Sequence, residues 1–240
     1  SHPDVATSYN NIGVAHDNKG EYDKALENYQ KAHVIFLGKF GPNNSLTKST
    51  RSAMDKLANT STEAANEKAE FERIRILAEQ GDVEAQLELG NLYREGNGVS
   101  KDFKKAVEWY RKSAGQGYDV AQNALGFRYF SGTGVPKDIP EALKWFLKAA
   151  EQGLPVAQAN AAFNFEKGPP EVRDLVKAYQ WNLIAIVNGY TKAETARDSL
   201  SKKLTADQIT KAEALAQEII KKNPKLIKEA TPKVYAPPKK

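Results

Sequence analysis

The sequence predicts an all-α protein, a right-handed α-solenoid of stacked helix-turn-helix repeats, and three observations carry that expectation. The segments Gly81-Asp82-Val83-Glu84-Ala85-Gln86, Gly117-Tyr118-Asp119-Val120-Ala121-Gln122 and Gly153-Leu154-Pro155-Val156-Ala157-Gln158 start 36 residues apart, and a fainter copy from Gly189 follows after another 36. The same spacing aligns Trp109, Trp145 and Trp181, all three tryptophans of the chain, beside columns Ala106/Ala142/Ala178, Tyr93/Tyr129/Phe165 and Gly96/Gly132/Gly168. Within a period, apolar residues recur at helical spacing in two runs, as in Ala121, Ala124, Leu125, Tyr129 and then Ala142, Trp145, Phe146, Ala149. A lone helical hairpin cannot bury such a face, so the units must stack, and about twelve helices are expected.

Each element has a local reason. The first glycine of Gly96-Asn97-Gly98 and of Gly132-Thr133-Gly134 ends a helix, and the second allows a turn with positive φ. Pro155 suits the first turn of a helix. Ala106 and Gly126 let the two helices of a pair approach closely, and the tryptophans are expected to fill the space between successive pairs.

Composition narrows the chemistry. The 240 residues include no cysteine, which removes disulfides, thiolate nucleophiles and sulfur-bound zinc. Only His2, His16 and His33 are present, so a histidine-rich metal centre elsewhere in the chain is excluded. The net charge of +5 is uneven: from Leu200 onward ten lysines face four acids, leaving residues 1–199 at −1. No apolar run approaches a membrane span of roughly 18 residues, the longest being Leu183 to Val187. The chain opens Ser-His-Pro and not Met, which reads as a piece of a longer protein, and localisation stays open.

The motifs Gly-x-x-x-Ala-Gln, Leu-Gly-x-x-Tyr, Gly-x-Gly-Val-x-x-Asp, Ala-x-x-Trp and Lys-(Ser/Ala)-Ala, repeated every 36 residues, resemble the Sel1-like repeat (SLR) family, a branch of the tetratricopeptide (TPR) superfamily. The first two copies match throughout. The third departs, with Ala161-Ala162 for Leu-Gly and Gly168-Pro169-Pro170-Glu171 for the glycine loop. The fourth lacks the tryptophan and the loop, and resembles a terminal cap. Leu204 to Gln208 is similar to a closing helix of bacterial members, and Thr205 with Gln208 forms a capping box. Near the start, Asn10-Asn11-Ile12-Gly13, Gly20-Glu21-Tyr22, Ala25-Leu26, Tyr29 and Lys31-Ala32 resemble a tetratricopeptide repeat of the kinesin-light-chain type, with His16 where an aromatic is usual. The expected layout is residues 1–58 for that repeat plus one further helix, a junction at 59–63, the Sel1-like array over 64–222, and a basic, proline-containing tail over 223–240.

The resemblance implies a non-catalytic scaffold or adaptor that binds a protein or extended peptide on its concave face. Carried onto matching positions, the groove residues are Asn10 and Val14; Leu87, Asn91 and Arg94; Asn123, Phe127 and Phe130; Ala159, Phe163 and Glu166. Phe127, Phe130 and Phe163 either face a partner or pack against neighbouring helices. The paired Asn/Lys clamp of carboxylate-binding relatives is missing. A different reading, an anionic-surface or nucleic-acid binder, rests on the lysine-rich end, although no aromatic residues interleave with those lysines. The glycine loops follow helices and precede no Gly-Lys-Ser/Thr, so they read as turns and not as phosphate cradles. His16 and Asp17, adjacent on a helix, point to different faces. Glu79/Asp82 and Glu108/Glu141 sit among lysines as solvated surface. No nucleophile–base–orienter set can be assembled, so no catalytic residue, metal or cofactor is expected.

Overall fold

A computed structural model describes residues 3–227, which form eleven α-helices and a closing 3-10 turn, close to the expected twelve helices. They divide into two compact units after Glu70.

The first unit holds α1 (Pro3–Asn18), α2 (Tyr22–Phe40) and the start of α3 (Ser45–Glu79). Gly13 of α1 packs on the Tyr29 ring so closely that a Cβ there would sit 2.9 Å from ring atoms. Ala6, Ala32 and Phe36 form one apolar cluster, and Ala25, Tyr29 and Leu57 a second. His33 is buried with its Nδ1 2.9 Å from the Thr50 hydroxyl. His16 is engaged locally, its Nδ1 2.5 Å from a Glu21 carboxylate oxygen.

The junction expected at 59–63 is helical: α3 runs unbroken through it, and the division into units falls later, after Glu70. Asn59, Thr60, Ser61 and Thr62 are weak helix formers, but each costs only about 0.5–0.7 kcal/mol relative to alanine and none is Gly or Pro, the residues that break a helix.

The second unit is a helical-repeat solenoid. The end of α3 packs Phe71, Ile74 and Ala78 against Ala85 and Leu89 of α4 (Val83–Glu95), supplying the second helix of an incomplete repeat. Then come α5 (Phe103–Gly115), α6 (Asp119–Ser131), α7 (Ile139–Glu151), α8 (Pro155–Lys167) and α9 (Leu175–Val187), each 13 residues long. α10 (Ala193–Ser201) and α11 (Ala206–Lys222) close the array, α11 opening on the Thr205–Gln208 capping box. Asp102, Asp138 and Asp174 accept from backbone N–H groups of the first turns of α5, α7 and α9, satisfying donors that a helix start leaves free.

Close approach within a pair is set by one small residue facing one ring. A Cβ on Gly90 would lie 2.5 Å from Tyr110, and one on Gly126 2.8 Å from Phe146. These rings, and not the tryptophans, are the most buried aromatic column. Trp181 is 5% exposed, but Trp109 and Trp145 are only half-buried, with the Lys112 and Lys148 ammonium groups 3.6 and 4.2 Å from their ring centroids. The tryptophan column is thus a core feature in the third repeat and a partly wetted one in the first two.

Successive repeats are also joined by buried amides. Gln86, Gln122 and Gln158 donate back to the carbonyls of Ala78, Ala114 and Ala150. Gln116 Nε2 donates to Gln86 Oε1 (2.8 Å) and the Gly81 carbonyl (3.0 Å), and Gln152 Nε2 repeats this with Gln122 Oε1 (2.8 Å) and the Gly117 carbonyl (2.9 Å). In the third rung Asn188 Nδ2 donates to Gln158 Oε1 (2.9 Å) and the Leu226 carbonyl (2.7 Å).

That last bond corrects the expectation of a tail beginning at 223. Pro224–Leu226 form the 3-10 turn, Leu226 is fully buried, and Asn223 Nδ2 donates to the Glu151 carbonyl at 2.9 Å. Residues 224–227 are held because Leu226 offers both an apolar side chain to the core and a carbonyl to Asn188; residues 228–240 lie outside the described residues.

Candidate functional site

The first helices of successive repeats, α4, α6 and α8, present equivalent positions: Leu87, Asn123 and Ala159; Asn91, Phe127 and Phe163; Arg94, Phe130 and Glu166. The three phenylalanines meet. Phe127 and Phe130 have ring centroids 6.3 Å apart, as expected for residues three apart on one helix. Phe130 and Phe163 meet edge-to-face at 5.9 Å. Phe127 is 47% exposed and Phe163 49%, whereas Phe130 is half-buried against the core. Phe130 thus packs against the core, while the other two rings stand open to solvent. With Phe146, Asn160 and Asn164 they line a cleft of about 230 Å³.

The asparagines are engaged. Asn91 accepts from the Tyr110 hydroxyl at 2.9 Å and donates to Glu88 at 3.3 Å. Asn123 Oδ1 accepts from Asn160 Nδ2 at 2.9 Å, linking α6 to α8. Asn160 and Asn164 escape a search by period, because Asn160 stands 37 residues after Asn123 and falls in another column. The signal that could have found them is helical spacing: Asn160 lies three residues before Phe163, and Asn164 four residues after Asn160. Asn164 is buried, its Nδ2 donating to the Asn160 carbonyl while its Oδ1 has no partner.

Charge is arranged at the two ends. Arg94 pairs with Glu95. Arg128 lies with its guanidinium 4.9 Å from the Phe127 ring centroid, and its Nε is buried without an acceptor. Burial holds its pKa below the usual arginine range; the nearby Tyr110 opposes this and Arg94 adds to it. At the other end Glu166 pairs with Lys203 at 2.8 Å and Lys167 at 3.0 Å. Burial pushes the Glu166 carboxyl up, but hydrogen bonds and charges from Lys203 and Lys167 outweigh it and hold the group below its ordinary value.

Leu87 packs partly into the core, and Ala159 lines a neighbouring depression with Asn160 and Glu166. Asn10, half-buried, and Val14, exposed, belong to α1 of the first unit. In the lysine-rich end Lys203 is committed to Glu166 and Lys222 to Glu218. Among the described residues no helix is long and apolar enough to cross a membrane, and no cluster of three His, Asp or Glu side chains could hold a metal ion.

The Sel1 repeat family model matches residues 83–118, 119–154 and 155–185, and the tetratricopeptide repeat model matches residues 6–36. A Sel1 repeat protein from Oxalobacter formigenes, known by crystal structure, is 35% identical; the match covers 54% of this chain and 98% of that one, with a TM-score of 0.50. A protective antigen of uropathogenic Escherichia coli with an SLR fold is 25% identical over 98% of this chain and 66% of its own, also at a TM-score of 0.50. The secretory immunoglobulin A-binding protein EsiB of Escherichia coli O6:H1 is 42% identical over 43 residues, which span 18% of this chain and 9% of EsiB. Repeats of this kind are typically non-catalytic and mediate protein–protein interactions. The 36-residue helical hairpins, their capping aspartates and these likenesses place the chain in the Sel1-repeat family, with a tetratricopeptide repeat at its N-terminal end.

Proposed function

We propose that the chain is a non-catalytic adaptor that holds an extended segment of a partner protein along the concave side of its Sel1 array, on the face built by α4, α6 and α8. The observation that carries this is the phenylalanine cleft: two large rings, Phe127 and Phe163, stand half in solvent on adjacent repeats beside a bridged amide pair. Exposed aromatics grouped in this way are a usual mark of a binding surface, and binding energy concentrates in such anchors. The Asn123–Asn160 pair leaves one amide N–H donor set and one carbonyl acceptor unused, which matches the acceptor and donor of a peptide unit. EsiB, by its name, is a relative that binds a protein.

A photo-crosslinking amino acid at position 163, compared with one at the exposed position 144 on α7, tests this in cells that produce the protein. Crosslinks should form from 163 and not from 144. With the captured partner purified, Phe127→Ser/Phe163→Ser should weaken binding about thirtyfold in calorimetry and leave the thermal melt nearly unchanged. Equal affinity for the folded double variant would move the binding surface elsewhere.

A further inference from the structure

We propose that the segment held on this face is acidic as well as apolar: a partner carboxylate pairs with Arg128 while a neighbouring aliphatic or aromatic side chain enters the Phe127–Phe130–Phe163 cleft. The proposal rests on the reading of that face as the binding surface and adds the chemistry of its occupant.

The argument begins with what Arg128 replaces. The equivalent position of the preceding repeat is Leu92, a buried aliphatic residue. A cation in that place is partly desolvated, and a desolvated charge is costly unless it is paired. Among the described residues the Arg128 side chain has no carboxylate partner and no hydrogen bond; its Nε is enclosed without an acceptor, and its guanidinium lies on the Phe127 face. Of the acids on α4 and α8, Glu88 accepts from Asn91, Glu95 pairs with Arg94, and Glu166 pairs with Lys167 and Lys203. The Lys137 ammonium stands 5.9 Å from the Phe130 centroid, and among the described residues it too has no carboxylate partner. The phenylalanine cluster therefore carries one cation against Phe127 and another near Phe130, and a carboxylate is the group that complements them; the planar guanidinium fork suits it particularly well. A basic segment would meet like charge.

A nucleic acid would also answer positive charge, but its bases need flat platforms on which to stack. Here Phe130 and Phe163 stand at 74° to each other and enclose a cleft of about 230 Å³, a shape for a side chain and not for a run of bases.

The test pans a displayed random dodecapeptide library on the whole chain, on Arg128→Leu, which restores the residue of the preceding repeat, and on Phe127→Ser/Phe163→Ser. A fifteen-nucleotide oligo-thymidine is titrated in parallel. The wild type should enrich peptides that combine Asp or Glu with a large apolar residue. The consensus peptide should bind Arg128→Leu about tenfold or more weakly, as should its Asp→Asn or Glu→Gln version with the wild type. The two losses should not add, since both remove one ion pair. If Arg128→Leu melts early, Arg128→Lys supplies the reading: the charge without the fork should give an intermediate loss. Peptides enriched for apolar residues alone, and lost on the double phenylalanine variant, would overturn the acidic requirement and leave the binding face standing. No enrichment, or enrichment indifferent to that double variant, would overturn both. Oligo-thymidine binding abolished by Arg128→Leu without any peptide enrichment would assign the face to nucleic acid and overturn both as well.

Discussion

The first two Sel1 repeats and the third reach the same hairpin by different chemistry. In the first two, a glycine is pressed by a large ring, Gly90 by Tyr110 and Gly126 by Phe146. In the third, the corresponding residues are Ala162 and Asn182, a larger residue facing a smaller one. The loops differ in the same way. Gly96 and Gly132 cap their helices in the left-handed region at φ 85° and 73°, but Gly168 is extended at φ −65°, ψ 172°. The residue before a proline is driven out of helical conformations, and Pro169 imposes that here. Arg173 then donates to the Gly168 carbonyl, at 3.1 Å from Nε and 2.9 Å from Nη2. What looks in sequence like decay of the motif is a set of compensated replacements, and the repeat that carries them is the last one before the closing helices α10 and α11.

The amide rungs carry the same contrast. Gln116 and Gln152 hold the loop of the preceding repeat and are exposed; Asn188 holds the chain's own Leu226 and is buried. At the third rung a short turn after α11 supplies the carbonyl that Gly81 and Gly117 supply to the earlier ones.

The largest change should come from removing the ring on one side of this contrast. Phe146→Ala is expected to destabilise by about 3–5 kcal/mol in chemical denaturation. Trp181→Ala should be comparable, and Trp145→Ala smaller because its ring is already partly wet; equal losses for the two tryptophans would show that exposure is a poor guide here. Next, Gly126→Ala should cost about 1–3 kcal/mol by overpacking against Phe146, while Ala162→Gly should cost only about 0.5–1 kcal/mol through helix propensity. Phe146→Leu should recover part of the Gly126→Ala loss, and strict additivity would mean that the two residues do not press on each other.

Breaking the third rung should matter more than breaking the second. Asn188→Ala removes the donor to the buried Gln158 Oε1 and leaves the Leu226 carbonyl only the 3.5 Å bond from Gln158 Nε2, and should cost about 1–3 kcal/mol, whereas Gln152→Ala, at an exposed rung, should cost about 0.5–1.5 kcal/mol. Hydrogen exchange near residue 226 should rise in the first variant and stay unchanged in the second. The smallest effect concerns Glu166, an acid that only the third repeat places in its column. Its folded-state pKa is lowered, so its contribution to stability is present above the unfolded value and is lost as pH falls through the folded one. Lys203→Met should flatten the acid limb of the stability profile below the ordinary glutamate range; an unchanged profile would show that the Lys203 pair contributes nothing.

Much of this molecule is determined by its sequence alone. A 36-residue period, two apolar runs per period and glycine–aspartate punctuation specify the hairpins, their caps and their stacking, because such signals are local and repeat in register. The phenylalanine positions were legible for the same reason, being three apart on one helix or 36 apart between helices. What only tertiary structure decided are contacts without a period: Asn160 against Asn123, Arg128 enclosed without an acid, and Leu226 folded back onto Asn188. Helix continuity through residues 59–63 belongs with them, since weak propensities there carry no stop signal. Each depends on the distance between side chains of different helices, and that distance follows from how closely the helices pack, which no spacing along one chain expresses.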